Sequence, residues 1–347
     1  MIDRRSFARL LSLATAAASI STSSSAATTP AGRRIIKPKR LAAGDTVGLV
    51  LPASAAFEHD SIQVAKEQLE LLGFKVAIGA HAFDRHGYFA GRDRDRADDL
   101  NRMFADDTIA GVVCYTGGWG APRVLPYLDY DLIARKPKVL IGYSDITALL
   151  NAVYQRTGLV TFHGPVGGST FDPYTIENFR RVVMTPEAAG ALAPPAKKAD
   201  VLIDRTNRVL RLAAGKTSGR LVGGNLTLLA ALMGTPYEID TKGAILFMED
   251  IREEPYRIDR MLTQLALGGK FDDMAGMAFG RCTDCKATST SFSLEDILRD
   301  RFGSLKKPAI SGLSFGHIEQ KMTLPIGVMA TLDADAGTLA LDEGAVV

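Results

Sequence analysis

From Thr46 onward the chain alternates short apolar runs with amphipathic stretches. Val47 to Leu51 is a run of strand length. Ile62, Ala65, Leu69 and Leu72 then recur at helical spacing, and Gly73 closes that helix. Phe74 to Ile78 reads as a second strand, Arg92 to Phe104 as a charged amphipathic helix, and Ile109 to Tyr115 as a buried strand. Val139 to Ile141 is another strand, followed by Ile146, Leu149, Leu150 and Val153 on one helix face. Strands alternating with helices in this way predict a parallel sheet covered by helices.

The pattern changes at Thr185–Asp200 (TPEAAGALAPPAKKAD), which is rich in Ala, Pro and Lys, has no strong period and reads as a linker. Beyond it lie strands around Val209–Leu212 and Ala244–Met248, a helix beginning at Pro255, and further strands toward the terminus. Alternation is less regular here, which predicts an α+β or barrel-like second domain. The fold class is therefore read as α/β. An N-terminal parallel-sheet domain spans 34–184, a linker 185–204, and a smaller β-rich, barrel-like domain 205–347. No internal repeat is visible.

Residues 1–26 stand apart from this pattern. Arg4-Arg5 precede Ser6-Phe7, an Ala/Leu-rich stretch follows, and small residues surround Ser24-Ser25-Ala26. That order describes an export signal of the twin-arginine type. A membrane span needs about 20 mostly apolar residues, and Ser and Thr intrude from Ser19 onward, which favours cleavage over anchoring. The expected location is the periplasm or the exterior.

Composition narrows the function classes. Of 347 residues, 46% are hydrophobic and 23% charged, a globular mixture. The net charge of +2 is carried by the first 26 residues; without them, 38 basic and 38 acidic residues cancel. This balance does not support a general nucleic-acid binder or a polybasic membrane binder. Aromatics are only 7%, with one Trp, so a stacking platform is not expected. Three cysteines do not build a disulfide scaffold. Cys282 and Cys285 form one C-x-x-C, read equally as a local disulfide or a pair of buried thiols. The five histidines, His59, His81, His86, His163 and His317, show no zinc-ligand spacing, so neither metal nor cofactor is expected.

Candidate chemistry gathers at strand ends. The run Lys138-Val-Leu-Ile-Gly-Tyr-Ser144 puts Ser144 on a sharp strand-to-helix turn, the setting of a nucleophile elbow. Only G-x-S of the G-x-S-x-G pattern is present, and the local sequence alone favours Ser144 as a helix N-cap. Asp145 follows, and its N–H at a helix start suits developing negative charge. Tyr115-Thr-Gly-Gly-Trp-Gly-Ala-Pro-Arg123 pairs glycines after a strand, leaving room for a ligand against the backbone or for a structural turn. It matches neither a dinucleotide fingerprint nor a P-loop. Glu249 ends the apolar run Ala244–Met248 and is costly to bury without a partner such as histidine. His317 lies in a turn-like stretch, and His163 reads equally as a structural turn histidine.

Together these segments resemble the LD-carboxypeptidase family of serine peptidases, which includes the self-immunity peptidases that destroy microcin C. The resemblance rests on Gly44–Pro52, Tyr88–Gly91, Gly117–Gly120, Gly142-Tyr-Ser-Asp145, His163-Gly-Pro165, Gly223-Gly-Asn225, Phe247-Met-Glu-Asp250 and Phe315-Gly-His317, over nearly the whole chain after the signal. It implies Ser144 as nucleophile, His317 as general base, Glu249 as the carboxylate orienting it, and the N–H groups of Gly118 and Asp145 as oxyanion donors. It also implies a homodimer and no metal. The family often carries Arg before the paired glycines, where this chain has Thr116.

The implied substrate is murein tetrapeptide, cut between the diamino acid and terminal D-Ala. A peptidase acting on a peptidyl-nucleotide antibiotic shares the same residues, and a non-catalytic periplasmic muropeptide-binding protein is the alternative from another class.

Overall fold

The computed structural model describes residues 34–196, 202–203 and 207–347. Residues 1–26, read above as an export signal, lie outside the described residues, as does part of 185–204. The first half contains strands β1 (Thr46–Val50), β2 (Lys75–Ile78), β3 (Ile109–Cys114), β4 (Val139–Gly142) and β5 (Thr161–His163). Its helices are α1 (His59–Leu71), α2 (Asp93–Ala105), α3 (Ala121–Val124), α4 (Tyr130–Arg135), α5 (Thr147–Thr157) and α6 (Pro173–Val183). Each strand expected from the hydrophobic runs here is present, with ends shifted by a residue or so.

The second half contains β6 (Gly190–Ala191), β7 (Leu210–Ala213), β8 (Lys216–Asn225), β9 (Ala244–Ile251), β10 (Gly276–Thr283), β11 (Ala309–Ser311), β12 (Leu324–Ile326), β13 (Met329–Asp333) and β14 (Thr338–Leu341). Helices α7 (Leu226–Ala231), α8 (Pro255–Leu267) and α9 (Leu294–Phe302) connect them.

Two sheets result. The first has the order β12-β5-β4-β3-β1-β2, parallel except for β12 against β5. The succession reverses between β1 and β3, and in such open sheets ligands sit at the carboxyl ends of the strands near that reversal. The second sheet has the order β6-β14-β13-β8-β9-β10-β11-β7. Its four middle strands, β8 to β11, are parallel, joined by helical crossovers α7, α8 and α9.

The barrel-like expectation is corrected by this sheet, because β6 and β7 each pair on one side only and the sheet stays open. Helical crossovers need a parallel sheet covered on its faces, and the six-residue α7 is too short to reveal its period in sequence. Within the stretch read as a linker, Gly190 and Ala191 pair with Leu341 and Ala340 at the sheet edge.

One helix ties the sheets together. Every residue of α5 from Thr147 to Tyr154 is buried, as expected of a helix covered on all sides. Thr147 Oγ1 accepts the Asn225 N–H at 2.9 Å. Asn151 Nδ2 donates to the Gly223 carbonyl at 2.9 Å and to the Thr147 carbonyl of its own helix at 2.9 Å. The chain also crosses back: after β11 in the second sheet, it returns to the first as β12, pairing Leu324 with His163.

Asn151→Ala is expected to leave the buried Gly223 carbonyl without its donor and to lower stability by about 1–3 kcal/mol, read from urea denaturation midpoints.

Candidate active site

The turn after β4 decides where Ser144 points. Ser144 has φ of +64°, a left-handed conformation that strains a residue bearing a side chain by roughly 1–3 kcal/mol. A single 3₁₀ turn (Ser144–Ile146) separates it from α5. Its hydroxyl caps no helix; it meets His317 Nε2 at 2.9 Å. The N-cap reading favoured by local sequence is therefore replaced by the elbow.

The paired-glycine loop after β3 lies against this turn. A Cβ on Gly117 would come 2.7 Å from the Ser144 Cβ and 3.1 Å from the Asp145 nitrogen, so only glycine permits the approach. Three buried side chains hold the loop. The Ala121 N–H donates to Asp145 Oδ2 at 2.6 Å, and the Trp119 N–H donates to Ser54 Oγ at 3.0 Å. Arg96, 1% exposed, donates to the carbonyls of Pro52 and Gly120 and to Asp93. Burial pushes the Asp145 carboxyl up to about 6, against the Ala121 N–H and the Arg96 charge, which lower it.

Glu249 comes from the other sheet. It sits in β9 after the apolar run and is 0% exposed. His317 Nδ1 lies 2.7 Å from Glu249 Oε2, and Asn225 Nδ2 donates to Oε1 at 3.2 Å. Burial pushes this carboxyl up, but the His317 hydrogen bond and charge, the His163 ring and the Asn225 amide outweigh it and hold the group below the ordinary glutamate value. With Glu249 accepting, the neutral imidazole carries its proton on Nδ1 and leaves Nε2 to accept from Ser144.

His317 rides on the crossover between the sheets. Gly316 precedes it at φ of +110°, where a Cβ would stand 2.6 Å from Glu249 Oε2. The His317 carbonyl accepts from Thr283 Oγ1 at 2.8 Å. Thr283 is bracketed by the Cys282–Cys285 disulfide, which settles the open choice between bonded and free thiols. Beside His317 opens a cavity of about 1070 Å³, lined by Thr170, Arg281, Cys282, Thr283, Glu319 and Lys321, among others.

Ser144, Asp145, Gly118, Glu249 and His317 are thus brought into one place, although they come from four separate stretches. His163 is at the end of β5 rather than in a turn, packed edge-on against Phe247 and Phe315. His81 is paired with Asp84 at 2.8 Å. Arg96, Thr283 and Lys321 were not found from sequence, since charged or polar residues in polar stretches carry no local sign of burial. Asn225 stood only as the end of the Gly-Gly-Asn motif.

His163 yields a pH test. Burial drives its ring down to about 4, with the Glu249 charge opposing. From pH 6.5 down to 4 the unfolded ring binds a proton that the native ring refuses, so its contribution is intact above 6.5 and is lost on acidification. The loss amounts to about 3 kcal/mol over that window. His163→Phe is expected to shrink the difference between urea midpoints at pH 7 and pH 4.5.

Comparison with known proteins identifies the family. Residues 47–164 match the LD-carboxypeptidase N-terminal domain and residues 218–332 the LD-carboxypeptidase C-terminal domain. A probable murein peptide carboxypeptidase of Bacillus subtilis (strain 168) is 40% identical over 316 residues, covering 89% of this chain and 95% of that protein. The murein tetrapeptide carboxypeptidase of Pseudomonas aeruginosa is 34% identical over 296 residues, covering 83% and 93%. A solved structure of the microcin C7 self-immunity protein in complex with aspartyl sulfamoyl adenosine superposes with a TM-score of 0.83 at 27% identity, covering 90% of this chain and 100% of that one. A non-catalytic binding protein is no longer the competing class: the chain belongs to the LD-carboxypeptidase family and is a serine-type carboxypeptidase.

Proposed function

We propose that the protein is an LD-carboxypeptidase that removes terminal D-Ala from murein tetrapeptide through an acyl-enzyme on Ser144. The observation that carries this reading is the hydrogen-bonded chain Ser144–His317–Glu249, at 2.9 and 2.7 Å, beside a peptide-sized cavity.

The mechanism follows from the atoms. His317 Nε2 takes the Ser144 hydroxyl proton as Oγ bonds to the carbonyl carbon of the diamino acid. The resulting oxyanion is received by the N–H groups of Gly118 and Asp145. Glu249, ionised and dry, stabilises the imidazolium that forms. His317 then gives its proton to the amine of D-Ala, the C–N bond breaks, and D-Ala leaves. Water enters, loses a proton to His317, and its oxygen attacks the ester carbonyl. Ser144 departs with that proton, and the tripeptide is released.

A second reading has support in the fold likeness to the microcin C7 self-immunity protein: hydrolysis of a peptidyl-nucleotide amide by the same residues. The murein reading is preferred because relatives carrying murein names reach 40% and 34% identity. We also propose that 1–26 directs export, so that the enzyme works beside the cell wall, and that it acts as a homodimer.

Mass spectrometry of murein tetrapeptide is expected to register loss of one alanine with the wild type and none with Ser144→Ala. Turnover of a peptidyl-nucleotide conjugate alone would sink the murein assignment. Glu249→Gln keeps the shape but removes the charge that holds the proton on Nδ1. It is expected to lower kcat by roughly 10³- to 10⁴-fold, measured on the same peptide.

A further inference from the structure

Lys321 is a buried charge that the mechanism above does not use. It is 4% exposed, yet it lines the cavity beside His317. Among the described residues its ammonium donates no hydrogen bond and forms no ion pair. Its one close polar contact is the face of Tyr143, whose ring centroid lies 4.7 Å from Nζ. A lysine in that condition is expensive, because a charge that gives up most of its hydration without a counter-charge gains little in return. Burial pushes its pKa down to about 8, with Glu249, Asp172 and Glu319 opposing, so it stays an ammonium at neutral pH. None of those carboxylates is within ion-pair distance, and Glu249 is committed to His317 and Asn225.

The position of this charge says what it is for. The Tyr143 ring stands 5.0 Å from the His317 ring and 4.7 Å from Lys321 Nζ, so one phenol borders both groups. His317 serves the leaving amine. In a departing amino acid that amine and the free carboxylate are separated by a single carbon. A cation for the carboxylate must therefore stand on the His317 side of Ser144, in the cavity that His317 opens onto. Two other cations line this cavity. Arg208 is exposed, and Arg281 is engaged within the fold. The backbone of Lys321 is also fixed: its N–H donates to Thr175 Oγ1 at 3.1 Å, which in turn donates to the Glu319 carbonyl.

We infer that Lys321 receives the terminal carboxylate of the peptide, making it the residue that restricts this enzyme to removing a C-terminal amino acid. The inference rests on the carboxypeptidase reading of the cavity and adds its specificity determinant. An arriving carboxylate satisfies the stranded ammonium, and a charge-assisted contact in a dry site is strong. An internal peptide bond, or a capped terminus, leaves the ammonium buried and unpaired and is rejected for that reason.

The test compares a murein tetrapeptide bearing a free terminal carboxylate with its C-terminal carboxamide twin, using the full chain and the variants Lys321→Met and Lys321→Gln. Wild type is expected to prefer the free acid. Both variants are expected to lose roughly 100-fold in kcat/KM on the acid and little on the amide, so the preference collapses toward one. Their melting temperatures are expected to equal or exceed that of wild type, since a stranded charge has been removed. Equal losses on both peptides, or no loss on either, would overturn the inference and leave Lys321 as a packing partner of Tyr143. Calorimetric binding of the two peptides to Ser144→Ala separates this question from hydrolysis. If wild type cleaves no tetrapeptide, the proposed function fails. A preference for the acid in Ser144→Ala that vanishes in Ser144→Ala/Lys321→Met still supports Lys321 as the carboxylate receptor, and equal affinities overturn it.

Discussion

The site is organised by the need to keep one ionised carboxylate out of water. The apolar run of β9 carries Glu249 into the interior, where a bare carboxylate is intolerable. Its two oxygens are satisfied from opposite directions, by Asn225 at the end of β8 and by His317 on the crossover. That second contact requires a chain path close enough to touch the carboxylate, which Gly316 supplies. It also requires a fixed histidine backbone, which Thr283 and its disulfide loop supply. Once the imidazole is pinned at Nδ1, its far nitrogen has one direction left to face, and Ser144 is there.

The strained serine is held from the other side. A left-handed φ at a residue with a side chain persists only where its surroundings over-determine it. Here α5 leaves the turn and is locked at once onto β8 through Thr147 and Asn151, while the glycine loop closes over the top. Asn225 accordingly has two jobs, since its backbone N–H meets the helix that follows the serine and its side chain meets the glutamate. Ser144 and Glu249 are thus registered against each other through one residue, although they belong to different sheets.

The first sheet was legible because its strands are continuous apolar runs and its longer helices keep their period. The second sheet hid its crossovers. Strand β8 contains three glycines that read as turns, α7 is a turn and a half long, and β12 is Leu-Pro-Ile, where Pro325 signals a break. Proline is admissible there because β12 is an edge strand. At the site, local sequence could indicate that Ser144 sat at a turn but not which way its hydroxyl faced, which depends on a φ value and on a histidine 173 residues away. The pairing of Glu249 with a histidine was physically motivated, but the choice of His317 came from family resemblance. Lys321 follows Glu319 and Gln320 in a polar run and reads as surface; its burial belongs to the tertiary path alone.

The return of the chain to the first sheet has a consequence for how the enzyme comes into being. Strand β12 is made after β11 of the second sheet, yet it completes a sheet whose other five strands are all made by His163. The stretch just before it carries the histidine. A nascent chain on the ribosome therefore presents Ser144 without its histidine partner, and a first sheet with an open edge at β5, until β12 has been made. The same late segment that blunts the exposed edge brings the histidine that meets the serine hydroxyl, so the contact chain Ser144–His317–Glu249 cannot close before it.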